Sequence, residues 1–220
     1  MKAMILAAGE GRRMLPLTAH MPKPLLKVHD KALIEWHLEG LARAGFSEVV
    51  INLHYQGDKI RHYLGDGSAF GLHITYSVET ILLETAGGIH HALGLLANAA
   101  DEPFAVVNGD IYTDFDFSLL PKHLDGRVAT LVMVDNPPHH PLGDFSLTAA
   151  GQLGTGPQRL TYSGIGVYSP ALFRGLRDGP VMLRELFATA IEADLLGGQY
   201  YAGSWTDVGT PARLAVLNAS

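Results

Sequence analysis

The sequence predicts an α/β fold with a doubly wound, mainly parallel mixed sheet, helices on both faces and a small antiparallel insertion. Three observations support this prediction: apolar runs rich in β-branched residues recur, segments of helical periodicity separate them, and a glycine-rich turn follows the first run. Strands that alternate with helices are typical of a parallel sheet, because each crossover returns the chain to the same edge. We therefore expect the turns after these strands to meet at the carboxyl edge of the sheet.

The first half of the chain supplies most of the predicted parallel strands. Short apolar runs bounded by glycine or polar residues predict strands, and apolar residues at helical spacing predict helices. The predicted strands cover residues 3–8, 48–53, 73–79 and 104–110. The predicted helices in this half cover residues 33–45, 58–65 and 87–97.

The pattern changes after residue 110. Strand-like stretches at residues 128–134, 144–149 and 160–169 are separated by a proline-rich loop and a glycine-rich turn, which indicates an antiparallel insertion over the sheet. Two further helices are predicted at residues 181–193 and 211–217. No repeat, low-complexity linker or block of charge divides the chain, so we expect a single domain over residues 1–220.

Composition excludes several classes of partner and chemistry. With a formal net charge of −6, the chain has no general attraction for nucleic acid or for an anionic membrane surface. It contains no cysteine, so it has neither a disulfide framework nor a thiol nucleophile. Its apolar stretches are shorter than the ~18 residues of a membrane span, and the N-terminal run is too short for a signal sequence. We expect a cytoplasmic protein, with its oligomeric state left open.

The stretch LAAGEGRRMLPLTAHMPKPL at residues 6–25 gives the strongest local signal. Glycines after a parallel strand let backbone N–H groups approach a phosphate, and Arg13 and Lys23 add two cations. Prolines on both sides of the lysine predict an extended backbone there. Met14 stands where the dinucleotide-binding fingerprint needs its third glycine, and the P-loop motif is absent. The loop therefore predicts a phosphate site of another kind.

Two aspartates are the candidate metal ligands. Asp110 follows an apolar strand through Asn108 and Gly109, which places its carboxylate at the carboxyl edge of the sheet. Asp207 precedes Gly209 in a second turn. Each motif alone is typical of an ordinary turn, but carboxylates together with phosphate-binding cations favour a metal site for phosphate chemistry.

The chain resembles the sugar-1-phosphate nucleotidylyltransferases in three segments that follow the same order: the loop at residues 6–25, VNGDIYTD and GSWTDVGTP. The resemblance covers nearly the whole chain. This family joins a nucleoside triphosphate to a sugar phosphate and releases pyrophosphate. The resemblance implies a Rossmann-like fold, Mg²⁺ held by Asp110 and Asp207, and catalytic roles for Arg13, Lys23 and Asp110. Arg13 and the glycine loop would hold the leaving pyrophosphate. The nucleotide-binding residues that it implies are Leu6, Ala8, Gly9, Gly11, Glu79, Ala86, Gly87 and Asn108.

Two segments bear on the choice of base. Glu79 lies in the segment that resembles the family's base-binding region, and a carboxylate only accepts hydrogen bonds, which favours guanine. The segments LLETAGGI and VDNPPHHPLGDFSL instead resemble the N-acetylmuramate 1-phosphate uridylyltransferases, which use UTP. We therefore expect a UTP-dependent enzyme of cell-wall recycling, with a mannose- or heptose-1-phosphate guanylyltransferase as the alternative. A non-catalytic sugar-nucleotide sensor is the alternative of another class, but the chain retains both cations and both aspartates.

The sugar site is the least complete part of the resemblance. The residues assigned to it are Gly143, Asp144 and Gly164. The Glu-Lys pair that contacts the sugar and its phosphate in the wider family has no counterpart, and Tyr162 replaces an asparagine. Candidates to supply the missing charge are His139, His140 and Arg159. We hypothesise that such cations bind the lactyl carboxylate of a muramate sugar.

Overall fold

The computed structural model describes residues 1–97 and 101–219 of the chain. Within these ranges the strands are Ala3–Leu6 (β1), Lys27–Val28 (β2), Lys31–Ala32 (β3), Glu48–Leu53 (β4), His73–Val78 (β5), Phe104–Asn108 (β6), Ile111–Thr113 (β7), Ala129–Val134 (β8), Ser146–Leu147 (β9), Leu153–Gly154 (β10), Thr161–Tyr168 (β11), Leu196–Tyr200 (β12) and Trp205–Asp207 (β13). The helices are Leu33–Arg43 (α1), Gly57–Leu64 (α2), Glu84–Leu96 (α3), Leu183–Glu192 (α4) and Pro211–Ala219 (α5). In the same ranges, no helix has the length and apolar character needed to cross a membrane.

A seven-stranded mixed sheet forms the centre of the fold, in the order β12-β8-β11-β6-β1-β4-β5. Strand β1 is parallel to both of its neighbours, and Ala3 pairs with Val49 of β4 and Ala105 of β6. Strand β11 is antiparallel to both of its neighbours, β6 and β8. The prediction of a mainly parallel mixed sheet is confirmed.

Period-two alternation along the parallel strands builds a core on each face of the sheet. Ala3 and Ile5 of β1 pack into the cluster that includes apolar residues of α1 and α2. Met4, between them, packs into the cluster that includes residues of α3 and α4. The two faces therefore carry different helices, as the doubly wound prediction requires.

The antiparallel insertion is smaller than expected. The predicted strands at residues 128–134 and 160–169 form β8 and β11 inside the central sheet. Between these two strands in sequence, β9 and β10 form a separate antiparallel ribbon. Every residue of β8 is buried. Its continuous apolar sequence, ATLVMV, is the pattern of a strand covered on both faces. The expectation that these two segments lie over the sheet was therefore wrong.

His37 of α1 is a buried titratable group close to Ile111, the first residue of β7. Its side chain is 1% exposed, and its Nε2 has no hydrogen-bond partner among the described residues. Burial lowers the pKa of His37 to about 4, against the smaller raising effects of a hydrogen bond with the backbone of Ile111 and of the charge on Asp110. The folded protein therefore holds this imidazole neutral near neutral pH.

We expect His37 to make the free energy of unfolding depend on pH. Because its folded pKa lies below the unfolded value near 6.5, its contribution is complete above pH 6.5 and is lost as the pH falls toward 4. Between pH 7 and pH 5 the loss amounts to about 2 kcal/mol. Urea unfolding measures the free energy of unfolding at the two pH values. Its decrease from pH 7 to pH 5 should be smaller in the His37→Leu variant than in the wild type by about this amount.

The matched control is His62→Leu, at an exposed position of α2. This variant should retain the full decrease of the wild type between pH 7 and pH 5. If the wild type and His37→Leu lose the same free energy of unfolding, His37 is not the group responsible.

Candidate active site

A pocket of about 350 Å³ opens at the carboxyl edge of the central sheet. Its floor includes Leu6 and Asn108, the last residues of β1 and β6, and Asn52 near the end of β4. The carboxyl ends of adjacent parallel strands are where α/β sheets bind ligands. The residues of the predicted nucleotide set that line this pocket are Leu6, Ala8, Gly9, Gly11, Glu79 and Asn108.

The glycine loop after β1 is fixed by hydrogen bonds from two segments. Gly11 has φ 64°, in the left-handed region that favours glycine, and its carbonyl accepts a hydrogen bond from Thr18 Oγ1 at 2.8 Å. A Cβ at this position would lie 2.9 Å from Thr18 Cγ2. Tyr55 and Gln56, which follow β4, donate side-chain hydrogen bonds to the carbonyl of Thr18 at 3.1 Å. The loop is therefore held in place before any ligand binds.

Lys23 is directed into the pocket and pairs with Asp110. The residue is 8% exposed, and its Nζ lies 2.7 Å from Asp110 Oδ2. Pro22 is extended, with φ −65° and ψ 145°, as predicted. Lys23 itself begins a 3-10 turn that continues to Leu25, so the extended backbone predicted on both sides of the lysine ends at Pro22. This turn sends the side chain inward from the surface loop.

The adjacent arginines differ in their contacts. Arg13 is exposed and lines the pocket, and no hydrogen bond or ion pair joins it to any described residue. Arg12 also lines the pocket, but its guanidinium pairs with the carboxylate of Glu10. Arg13 is therefore the guanidinium that is available for an incoming anion.

Glu79 and Asn52 form a buried hydrogen-bond network. Asn52 Nδ2 donates to Glu79 Oε1 at 2.7 Å, and the Leu83 N–H donates to Glu79 Oε2 at 3.1 Å. Asn52 Oδ1 also accepts a hydrogen bond from the Ala7 N–H at 2.8 Å. Both oxygens of the carboxylate thus already accept a protein hydrogen bond. Sequence reasoning missed Asn52, although a polar residue near the end of an apolar parallel strand was an available signal.

The segment at residues 179–181 packs against the start of α3 and accepts hydrogen bonds from its N–H groups. The N–H groups of Ala86 and Gly87 donate to the carbonyl of Val181 at 3.0 and 3.2 Å, and neither residue lines the pocket. A Cβ on Gly87 would lie 2.2 Å from the carbonyl oxygen of Gly179. The glycine is thus needed for close packing, and Glu84 and Thr85 line the pocket in place of the two predicted residues.

Asp207 lies beside Asp110 through the pairing of β13 with β7. The Val208 N–H donates to the Asp110 carbonyl at 2.8 Å. Asp207 Oδ1 accepts a hydrogen bond from Arg213 Nη1 at 2.7 Å and lies 2.8 Å from His139 Nε2. Asp207 does not line the pocket, but Gly209 two residues later does. Sequence reasoning missed Arg213, since nothing in the pattern of α5 distinguishes it from a solvated arginine.

The donor set fits a metal that is shared with substrate. Among residues 1–97 and 101–219, no group of three or more His, Cys, Asp or Glu side chains is placed to hold a metal ion. Asp110 and Asp207 each retain one carboxylate oxygen without a hydrogen bond to the described part of the chain. Mg²⁺ is commonly bound by one or two carboxylates, with phosphate oxygens and waters completing its coordination. Asp110 at the pocket and Asp207 on the strand paired beside it are compatible with that pattern.

The residues assigned to the sugar lie outside this pocket. Asp144 Oδ2 accepts a hydrogen bond from the Tyr162 N–H at 2.8 Å, and Asp144 Oδ1 lies 3.1 Å from His140 Nε2. Gly143 has φ 60° in the same loop. Gly164 has φ 83°, and a Cβ there would lie 2.6 Å from Nδ2 of the pocket residue Asn108.

The other two candidate cations have different surroundings. Arg159 donates to the carbonyls of Thr155 and Gly156, which ties it to its own turn. His139 contacts Asp207 and Arg213 instead. The loop at residues 135–145 therefore reaches the second aspartate through His139.

Comparisons with known proteins identify the family of this chain. The family model described as Nucleotidyl transferase matches residues 2–152. The N-acetylmuramate alpha-1-phosphate uridylyltransferase of Neisseria meningitidis is 49% identical, over 100% of this chain and 97% of its own length. The mannose-1-phosphate guanyltransferase of Gibberella zeae is 31% identical over 96% of this chain, which spans 61% of that protein.

A solved structure has the same fold. The putative glucose-1-phosphate thymidylyltransferase of Bacillus anthracis, solved in complex with a sucrose, matches with a TM-score of 0.85 at 21% identity, covering 100% of this chain and 94% of that one. The fold prediction and the resemblance drawn from the motifs are both confirmed. Because the family model covers more than half of the chain and a full-length relative shares 49% of its residues, the chain belongs to the sugar-1-phosphate nucleotidyltransferase family of enzymes.

Proposed function

We propose that the protein joins UTP to N-acetylmuramate 1-phosphate, giving UDP-N-acetylmuramate and pyrophosphate, with Mg²⁺ as cofactor and a cytoplasmic role in peptidoglycan recycling. The observation that carries the proposal is the pairing of the buried Lys23 with the partly exposed Asp110, beside a fixed glycine loop at the carboxyl edge of the sheet. The 49% identity to an N-acetylmuramate alpha-1-phosphate uridylyltransferase over nearly both full lengths supports the choice of substrates.

Electrostatic repulsion is the main barrier that this site has to lower. A phosphate monoester has a charge of about −1.5 to −2 at neutral pH and must approach a triphosphate. Arg13 and the backbone N–H groups from Gly9 to Gly11 bind the phosphates that leave, and Lys23 binds the α-phosphate and the incoming phosphate. Asp110 and Asp207 would hold Mg²⁺, which neutralises and orients phosphate oxygens.

The reaction then needs no protein nucleophile. An oxygen of the sugar phosphate attacks the α-phosphorus of UTP, one P–O bond forms, and the bond to the β-phosphate breaks to release pyrophosphate. The attacking oxygen is already ionised, so positioning and charge neutralisation by the residues of the pocket supply the catalysis.

The network around Glu79 fixes the orientation of this side chain at the pocket. Asn52 and Leu83 each donate one hydrogen bond to the Glu79 carboxylate, one to each oxygen, and hold it against the pocket that it lines. We therefore assign Glu79 the role of shaping the base pocket. Guanylyl transfer is the outcome that would reverse this assignment.

We expect substitutions at the Lys23–Asp110 pair to reduce catalysis strongly, and Asp110→Ala also to lower stability because it leaves the buried Lys23 unpaired, so activity is compared at a temperature at which the variants are folded. Lys23→Met should lower kcat/KM by about 10²- to 10³-fold, the usual cost of removing one preorganised group that stabilises transition-state charge. Asp110→Ala should reduce turnover to background. Pyrophosphate release measures activity, circular dichroism measures the fold, and the exposed Lys122→Met variant is the control. Near-normal rates in either variant would refute the assigned roles.

Substrate specificity is tested by pyrophosphate release with Mg²⁺, crossing UTP, GTP and dTTP with N-acetylmuramate, N-acetylglucosamine, mannose and heptose 1-phosphates. We expect release with UTP and the muramate sugar. Release with GTP alone would establish the guanylyltransferase instead. No release with any pair, from a folded protein that still binds a UDP-sugar, would indicate the sensor.

The loop histidines give a prediction about the lactyl group. Replacing His139 and His140 together by Ala should raise the KM for N-acetylmuramate 1-phosphate by about tenfold, the effect of losing a charged hydrogen bond worth about 1.5 kcal/mol. The KM for N-acetylglucosamine 1-phosphate, which lacks the lactyl carboxylate, should change less. Equal increases for both sugars would refute a role in recognising that carboxylate.

A further inference from the structure

Arg213 pairs with Asp207 in the same way as Lys23 pairs with Asp110. Its Nη1 lies 2.7 Å from Asp207 Oδ1, the same distance that separates Lys23 Nζ from Asp110 Oδ2. Its Nε is buried and has no hydrogen-bond partner among the described residues. Each of the two candidate metal ligands is thus paired with one cation of the protein.

Gly209 separates Arg213 from the nucleotide pocket. A Cβ at Gly209 would lie 2.1 Å from Arg213 Nη2 and 2.9 Å from Asp207 Oδ2, so the glycine leaves room for the guanidinium. Gly209 itself lines the pocket, whereas Arg213 does not. The guanidinium therefore lies directly behind the wall of the phosphate site.

On its other side Arg213 contacts the loop at residues 135–145. Its Nη1 lies 2.5 Å from His139 Nε2, and the same loop contains Gly143 and Asp144. The cations assigned to the triphosphate, Arg13 and Lys23, are on a different segment, the loop after β1. Arg213 is therefore the cation between the nucleotide pocket and the loop assigned to the sugar.

A metal bound by the two aspartates would compete with both resident cations. Carboxylates that ligate a divalent cation give up part of their attraction for a neighbouring ammonium or guanidinium, and a partly buried cation then needs another anion. A guanidinium matches a phosphate monoester through two parallel hydrogen bonds. Nε is buried while Arg213 holds Asp207, so Nε and Nη2 become that pair of donors when the guanidinium releases the carboxylate.

We propose that Arg213 binds the phosphate of the sugar 1-phosphate, holding Asp207 in the free enzyme and exchanging this carboxylate for the substrate when the metal binds. The inference rests on the proposed function for the identity of the sugar. It assigns to Arg213 the charge that the missing Glu-Lys pair would otherwise supply.

The test measures ligand binding without turnover. Calorimetric titration uses Mg²⁺ with α,β-methylene-UTP, followed by N-acetylmuramate 1-phosphate, on the wild type, Arg213→Met and Arg213→Lys. We expect Arg213→Met to raise the Kd of the sugar phosphate about tenfold and to change the Kd of the nucleotide analogue less than twofold. Arg213→Lys should fall between the two, because lysine keeps the charge but lacks the planar pair of donors.

Two further measurements separate this role from one in positioning Asp207. Mn²⁺ binding with the analogue, followed by electron paramagnetic resonance, should be as tight or tighter in Arg213→Met, because a competing cation is gone. Weaker Mn²⁺ binding with an unchanged Kd for the sugar phosphate would overturn the proposal. Arg184→Met, exposed in the first turn of α4, is the control and should match the wild type throughout.

The choice of sugar 1-phosphate in the titration separates failure of the Arg213 proposal from failure of the proposed function. A wild type that uses another sugar 1-phosphate contradicts the proposed function, and the Arg213 variants are then titrated with that sugar. An effect of Arg213→Met confined to the muramate sugar would assign the guanidinium to the lactyl carboxylate and overturn the phosphate assignment. If Arg213→Met does not fold, the several-fold increase expected for Arg213→Lys decides the question.

Discussion

The pairing of Lys23 with Asp110 is the interaction on which the arrangement of the site depends. A lysine residue that is 8% exposed needs an opposite charge near its ammonium group, because an unpaired buried cation is strongly destabilising. The two residues are 87 positions apart, and their contact fixes the loop after β1 against the end of β6. The same contact keeps both groups at the pocket that they line. The ion pair therefore both stabilises the loop and keeps two charged groups in position for a charged substrate.

The sheet places the remaining groups by simple geometry. Parallel strands β1, β4 and β6 end at one edge of the sheet. The glycine loop, Asn52 and Asn108 therefore meet there although they are far apart in sequence. The short ribbon of β7 and β13 then adds Asp207 beside Asp110. The pocket and the two candidate metal ligands are thus brought together by ordinary strand pairing. The specific chemistry resides in a few side chains on the turns.

The sequence predicted the parts of the site that depend on local motifs. Lys23, Arg13 and Asp110 are marked by prolines, glycines and an apolar strand that lie next to them, and the structure brings them to one pocket. Asn52 and Arg213 were missed because their roles depend on partners far away in sequence or on another loop, such as Ala7 and His139. Strands β8 and β11 were recognised as strands, but pattern alone does not indicate which sheet a strand joins. Register and neighbour order come from tertiary packing.

The position of β11 has a consequence for how the chain can be divided. The family model ends at residue 152, yet β11 lies between β6 and β8 and is hydrogen-bonded to both. A fragment ending there would leave β8 without its link to the parallel strands, and the first N–H groups of α3 without the carbonyl of Val181. Such a fragment would also lack β12, so it would expose one edge of β6 and both edges of β8, and open strand edges are templates for self-association. The segment that identifies the family is therefore not a unit that could be transplanted or expressed without the strands that follow it.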